Sequence, residues 1–168
     1  MQYCKKSTAD TTTTTADTTL FQAYVNGAVW TPLTTTPVLT YNAAAKTKTF
    51  TWQADSTNDR IVINNKITSV GPGTGIPVQI YYVDTTAAAK VTMTYYRLVN
   101  KVYTTVGTTR SGYINVSAID SVAKQISGTF SFYETKVNYD SNNKIISITS
   151  TNVTSGDFNN LPYTYVKQ

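Results

Sequence analysis

Thr49-Phe50-Thr51-Trp52-Gln53-Ala54 puts two large rings and a methyl on one side of an extended backbone, and two hydroxyls and an amide on the other. Successive side chains of a strand point to opposite faces, so this two-residue period marks a strand with one buried face. The same period recurs along the chain. Val78, Ile80 and Tyr82 alternate with Gln79 and Tyr81, and Val91, Met93 and Tyr95 with Thr92, Thr94 and Tyr96. Ile114, Val116 and Ala118 oppose Tyr113, Asn115 and Ser117. Ile126, Phe130 and Phe132 oppose Thr129, Ser131 and Tyr133, with Gly128 on the apolar side. The first set of each group is expected inside and the second outside.

Turn residues separate these runs: Asn26-Gly27, Asp55 to Asp59, Asn64-Asn65, Gly71 to Gly75, Asp84 to Ala88, Asn100, Gly107, Asp120 to Ala123 and Asp140 to Asn143. Asn-Gly is the strongest short hairpin signal, because both residues accept a positive φ. No stretch carries a helical period. Strands are expected near 20–25, 28–31, 36–42, 47–54, 60–68, 77–83, 90–98, 101–106, 111–119, 125–134, 144–152 and 162–166, two of them as edge or loop segments. The fold class is therefore all-β, an antiparallel two-sheet β-sandwich of about ten strands.

Composition agrees. Of 168 residues, 33 are Thr and 13 are Tyr, and 14% are charged. The branched Cβ of Thr suits an extended backbone and its hydroxyl keeps water, so a wet sheet face absorbs many threonines. Residues 5–19, KKSTADTTTTTADTT, hold no large apolar side chain. Such a segment cannot bury enough surface to offset the ~1–2 kcal/mol per residue lost on ordering its backbone. Residues 1–19 are expected to form a disordered Thr-rich tether, and residues 20–168 a single β-sandwich domain. No run approaches the ~20 apolar residues of a membrane-spanning helix.

Several chemistries are excluded or disfavoured. The chain supplies no His and a single glutamate, Glu134, which removes a His-based triad, a His metal site and a Glu/Glu acid–base pair. The net charge is +5, yet the cations are scattered and only Lys5-Lys6 are adjacent. A nucleic-acid binder gathers them into a stripe along the phosphates. Asp140-x-Asn142 starts like a calcium loop, but Lys144 takes the next ligand position and no Glu follows. Gly71-Pro72-Gly73-Thr74-Gly75 lacks the Lys-Ser/Thr of a phosphate loop, and reads as a flexible connection that could form the lip of a binding surface. A hydrolase would need two of Asp55, Asp59, Asp84, Asp120 and Asp157 to converge across a cleft, and turn chemistry is the simpler role for them. No catalytic residue, cofactor or metal is expected. The strongest binding candidates are Tyr81, Tyr96, Tyr113 and Tyr133, which the alternation places on wet faces where rings can stack on sugars or on a partner.

Three stretches, in order, resemble a family. They are Phe21-Gln22-Ala23-Tyr24-Val25-Asn26-Gly27-Ala28-Val29-Trp30, then Ile126-Ser127-Gly128-Thr129-Phe130-Ser131-Phe132 following Ser111 to Asp120, and last Gly156-Asp157-Phe158-Asn159-Asn160-Leu161-Pro162-Tyr163. Together they look like an uncharacterised family of Bacteroidetes outer-membrane lipoproteins, a domain of unknown function, over about residues 20–166. The resemblance implies an exported, predominantly β protein at the outer membrane, on its periplasmic or cell-surface face, with no established activity. It points to Cys4 as the lipid anchor: a lone cysteine opening a polar tail is how mature bacterial lipoproteins begin. Tyr3 departs from that pattern, since a small residue precedes the cysteine in a lipobox. The leading expectation for the chain as a whole is a non-enzymatic binding or assembly module for a polysaccharide or a partner protein. The alternatives are a structural subunit of a surface assembly, and a glycoside hydrolase using paired aspartates.

Overall fold

Strand β1 (Phe21–Val25) turns into β2 (Ala28–Trp30) through Asn26-Gly27, whose φ angles of 50° and 83° are left-handed. Asn and Gly enter that region most readily, so this dipeptide makes the expected hairpin. Asn26 also grips the strand beside it. Its N–H donates to Asn152 O at 2.8 Å and its Oδ1 accepts from Asn152 N at 2.8 Å.

The computed structural model describes residues 20–68, 70–84 and 90–168. The tether, Cys4 and most of the turn read at 84–88 lie outside the described residues. After β2 come β3 (Thr34–Thr35), β4 (Val38–Asn42), β5 (Thr47–Asp55), β6 (Asp59–Thr68) and β7 (Ile80–Tyr82). They are followed by β8 (Val91–Val99), β9 (Val102–Thr105), β10 (Thr108–Asp120), β11 (Gln125–Tyr139), β12 (Ile145–Pro162) and β13 (Thr164–Lys167). Among the described residues there is no helix, and so none long and apolar enough to cross a membrane.

The strands form two sheets, ordered β2-β1-β12-β11-β10-β7 and β13-β4-β5-β6-β8-β9, with β3 on the edge of β5. The all-β sandwich read from the alternation is the observed fold. Every pairing is antiparallel except β13 with β4, which is parallel because the chain crosses from the first sheet to the second at Tyr163.

Four local expectations are corrected. β12 does not stop near residue 152 but runs on to Pro162, because bulges at Ser155 (φ 47°) and Asn160 (φ 46°) absorb the twist without ending the pairing. Asn64-Asn65 is mid-strand rather than a turn, opposite Thr51 and Phe50. On β7 the phase is inverted: Tyr81 is 8% exposed while Ile80 and Tyr82 are 48% and 68% exposed. Tyr81 can be buried because its hydroxyl donates to Pro77 O at 2.7 Å. Ala118 likewise turns outward, past a register shift between Val116 and Ala118.

The core interlocks by rings and glycines. On neighbouring β11 and β12, Gly128 lies opposite Phe158 and Phe130 opposite Gly156. Each ring covers the other strand's glycine. A Cβ on Gly156 would come within 2.5 Å of the Phe130 ring, and one on Gly128 within 2.6 Å of the Phe158 ring and into Asn115 O. Phe158 reaches Trp52 of the facing sheet at 5.9 Å between ring centroids. Trp52 stacks on Phe50 at 3.9 Å, and Phe50 meets Tyr163 edge-on at 5.1 Å. Such pairs contribute ~0.5–1.5 kcal/mol each beyond their buried area.

Gly128→Ala is expected to destabilise the domain by about 3 kcal/mol or more, since the obstacle includes a backbone carbonyl and not only a movable side chain. Urea unfolding followed by tryptophan fluorescence measures it.

Candidate functional site

Outward-facing residues of the first sheet form a tyrosine row. Tyr82 on β7 is directly opposite Tyr113 on β10, and Tyr113 faces Ser131 on β11. Tyr133 stands two residues along β11 from Ser131, opposite Ser111. Three rings therefore sit on three adjacent strands of one face. Asn115, Thr129 and Asp157 form the next row, in register across β10, β11 and β12. This surface offers flat apolar faces beside hydroxyls, an amide and a carboxylate.

The four tyrosines singled out from the sequence do not form one patch. Tyr113 and Tyr133 share the row. Tyr96 is on β8, on the opposite sheet, where it pairs with Arg60 and Thr105. Tyr81 is the correction: it faces the interior, and burial pushes its phenol up to about 12. Its neighbour Tyr82 takes the exposed place. The available signal for Tyr82 was Pro77, whose carbonyl lets the phenol of Tyr81 be buried; periodicity alone favoured the wrong phase.

The row continues onto a ribbon. Beyond Thr135, β11 pairs with β12 alone, because β10 starts at Thr108 opposite Thr135. β12 likewise meets β1 only from Val153 onward. Residues 136–139 and 145–151 thus form a two-stranded ribbon with both edges open among the described residues. Val137 pairs with Ile148 and Tyr139 with Ile145, on the same outward side as Tyr133, and Tyr139, Ile145 and Ile148 are exposed. The other side carries Lys136, Asn138, Ser147 and Thr149.

Two clefts open between the sheets, where β7 and β10 face β6 and β8. One of about 500 Å³ is lined by Met93, Gly107, Thr109 and Arg110 among others. The second, of about 370 Å³, is lined by Asn65, Lys66, Gln79, Tyr81, Tyr82 and Lys90 with apolar neighbours. Asp84 borders both, and is the only one of the five aspartates considered for hydrolysis to line either. Asp55 instead holds Arg60 at 2.5 Å, Asp59 faces Arg97 at 3.5 Å, and Asp120 accepts the N–H groups of Val122 and Ala123 at 2.9 and 2.8 Å. Asp140 accepts those of Asn142 and Lys144 at 2.8 and 2.9 Å, as in a hairpin turn. Among the described residues no group of three or more acidic or Cys side chains could hold a metal ion.

The Gly71–Gly75 connection, expected to be flexible, is stapled by side-chain donors to its carbonyls. Tyr165 reaches Pro72 O at 2.7 Å, Tyr163 reaches Thr74 O at 2.5 Å, and Lys48 reaches Gly75 O at 2.7 Å. Lys48 is buried, and desolvation lowers the pKa of its ammonium.

Glu134 closes the place where the chain leaves one sheet for the other. β9 ends at Thr105 and Gly107 leads into β10, leaving the Tyr95 N–H of β8 without a strand partner there. Glu134, fully buried on β11, supplies one: Oε1 accepts from Tyr95 N at 2.9 Å and lies 3.5 Å from Thr109 Oγ1. Thr109 in turn donates to Met93 O. Oε2 has no partner. Burial raises the carboxyl pKa, against the opposing pull of the bonds from Tyr95 and Thr109. A raised folded-state pKa means stability that is full below the unfolded value of about 4.3 and lost as pH climbs through the folded one. The wild type is therefore expected to lose stability relative to Glu134→Gln between pH 4 and pH 7, whereas Glu134→Ala loses ~1–3 kcal/mol across that range by orphaning Tyr95 N–H. Melting curves of the three proteins against pH check both.

No curated protein and no solved structure matches the chain. A family model, described as a domain of unknown function (DUF6252), matches residues 17–162, which takes in every strand except β13. The chain belongs to the DUF6252 family.

Proposed function

We propose that this domain is a non-enzymatic glycan-binding module, exported and held at the outer membrane through lipid on Cys4. The observation that carries the binding reading is the row Tyr82, Tyr113 and Tyr133 on adjacent strands of one exposed face. The C–H face of a sugar packs on a flat phenol ring, and the amide, hydroxyl and carboxylate of the next row suit the rim of such a ligand. Successive strands are ~4.8 Å apart, so rings on neighbouring strands follow an extended chain of sugars rather than enclose a small molecule. The location rests on the sequence: Cys4 opens a tail without large apolar residues, and the motif stretches resemble Bacteroidetes lipoproteins.

Tyr113→Ala combined with Tyr133→Ala is expected to abolish retention on whichever polysaccharide the wild type binds in an affinity-electrophoresis panel, with an unchanged melting temperature. Full retention by the double variant would reject the platform. For the anchor, cells expressing the gene with its native export signal are fed an alkyne fatty acid. Label on the wild type and none on Cys4→Ser is the expected result.

A second reading is favoured by the ribbon. Its open edges and its exposed Tyr139, Ile145 and Ile148 suit pairing with another strand, as a structural subunit of a surface assembly would use. Sedimentation at increasing concentration tests it: self-association that Ile148→Lys removes supports assembly, and a monomer throughout counts against it.

A further inference from the structure

Among the described residues, Asn65 is the one buried carboxamide whose donor and acceptor are both left without a hydrogen-bond partner. It sits on β6 in phase with Ile61 and Ile63, has no exposed surface, and neither its amide nitrogen nor its amide oxygen has a hydrogen-bond partner. Buried polar groups are almost always paired, and an apolar side chain of similar shape would spare the domain the penalty. Trp30 and Trp52 also have an orphaned N–H, but each is a mostly apolar ring whose burial holds the core. A carboxamide contributes nothing of that kind.

Its surroundings are those of a ligand site. Asn65 lies in the wall of the 370 Å³ cleft, with Gln79 and Tyr81 across from it on the other sheet and Lys66 and Lys90 exposed beside it. The Tyr81 hydroxyl is already engaged by Pro77 O, so that wall is fixed. Tyr82 belongs both to this cleft and to the tyrosine row, which makes the cleft the end of that face and not a separate pocket.

We infer that the cleft is a monosaccharide subsite in which Asn65 takes a pair of adjacent ring hydroxyls, its N–H donating to one oxygen and its carbonyl accepting from the other. The inference rests on the glycan-binding reading and names the part of the ligand it recognises. A carboxamide presents a donor and an acceptor side by side, so its complement must present an acceptor and a donor at matching spacing. Neighbouring hydroxyls of a pyranose do this, each being both donor and acceptor. Site volume agrees, since pockets for compact ligands start at roughly 300 Å³. Asn65 has no exposed surface, so a sugar reaches it as side chains that line the cleft move aside. The cleft then distinguishes sugars by the arrangement of one hydroxyl pair, while the tyrosine row grips the rest of the chain with little selectivity.

The test is a nitrogen-15 NMR titration of the full chain with methyl β-D-glucopyranoside, methyl α-D-mannopyranoside and methyl β-D-galactopyranoside, with glycylglycine amide as a peptide probe. At least one glycoside is expected to move the Asn65 side-chain amide signals saturably. Asn65→Leu is expected to weaken that glycoside at least tenfold while its melting temperature stays level or rises. Tyr113→Ala with Tyr133→Ala should leave the glycoside titration intact, since neither ring lines the cleft. Glycosides that leave the Asn65 signals unmoved, or an Asn65→Leu protein that binds as the wild type does, would overturn the inference. So would Asn65 signals that respond only to glycylglycine amide. If polysaccharide retention still depends on Tyr113 and Tyr133 in that event, the platform stands without the subsite. If the glycoside moves Asn65 but those tyrosines prove dispensable for retention, the subsite stands without the platform.

Discussion

The reciprocal covering of Gly128 by Phe158 and of Gly156 by Phe130 is the constraint from which the rest of the sandwich follows. Glycine is a weak strand former because it has no side chain to pack and much backbone freedom to lose. Here the missing side chain is the point. Two rings lie flat over two bare backbones on adjacent strands, so each faces inward without being pushed off the sheet. From that position Phe158 meets Trp52 across the interior, and Phe130 meets Phe21 on the same sheet at 5.1 Å. One local device thus aligns three strands of one layer and docks them on the other. It also accounts for two of the sequence motifs at once: Gly128-Thr129-Phe130 and Gly156-Asp157-Phe158 are the two halves of one antiparallel contact.

Polar groups inside this frame fall into two kinds. Glu134 and Lys48 each stand in for a missing structural bond. Glu134 answers the Tyr95 N–H where β9 has ended, and Lys48 ties the Gly71–Gly75 connection over one end of the sandwich. Their titration shifts have one origin, the cost of keeping a charge away from water, so Glu134 moves toward its neutral acid and Lys48 toward its neutral amine. Asn65 differs in kind, because nothing in the fold uses it. The contrast separates polar side chains that complete the architecture from one that the proposed sugar would satisfy.

Much of the architecture was legible in the sequence. Alternation identified the strands through Phe50, Met93, Ile114 and Phe130 and put those residues inside; Asn26-Gly27 identified the first hairpin; and Trp30, Phe158 and Tyr163 proved to be buried. The failures share a cause: they depend on which partner a residue meets in space. The phase of β7 was ambiguous because Ile80 and Tyr82 on one side and Tyr81 on the other are all large and apolar, and a carbonyl four residues upstream decided it. The strand expected to end near residue 152 runs on to Pro162 through two bulges that only its partner strand reveals. The parallel pairing of β13 leaves no local trace. At the candidate site, Tyr113 and Tyr133 were visible, whereas Tyr82 was hidden by the phase error and Asn65 by its resemblance to a turn residue, although it continues the inward phase of Ile61 and Ile63.

The course of β12 sets a direction for the whole molecule. Leu20, where the described chain enters the domain, binds Asn159 at one end of that strand, and the ribbon tip at Ile145 is the other end. At about 3.3 Å per residue the two lie at most roughly 46 Å apart. A strand that pairs with the ribbon therefore meets the domain at the end opposite Leu20.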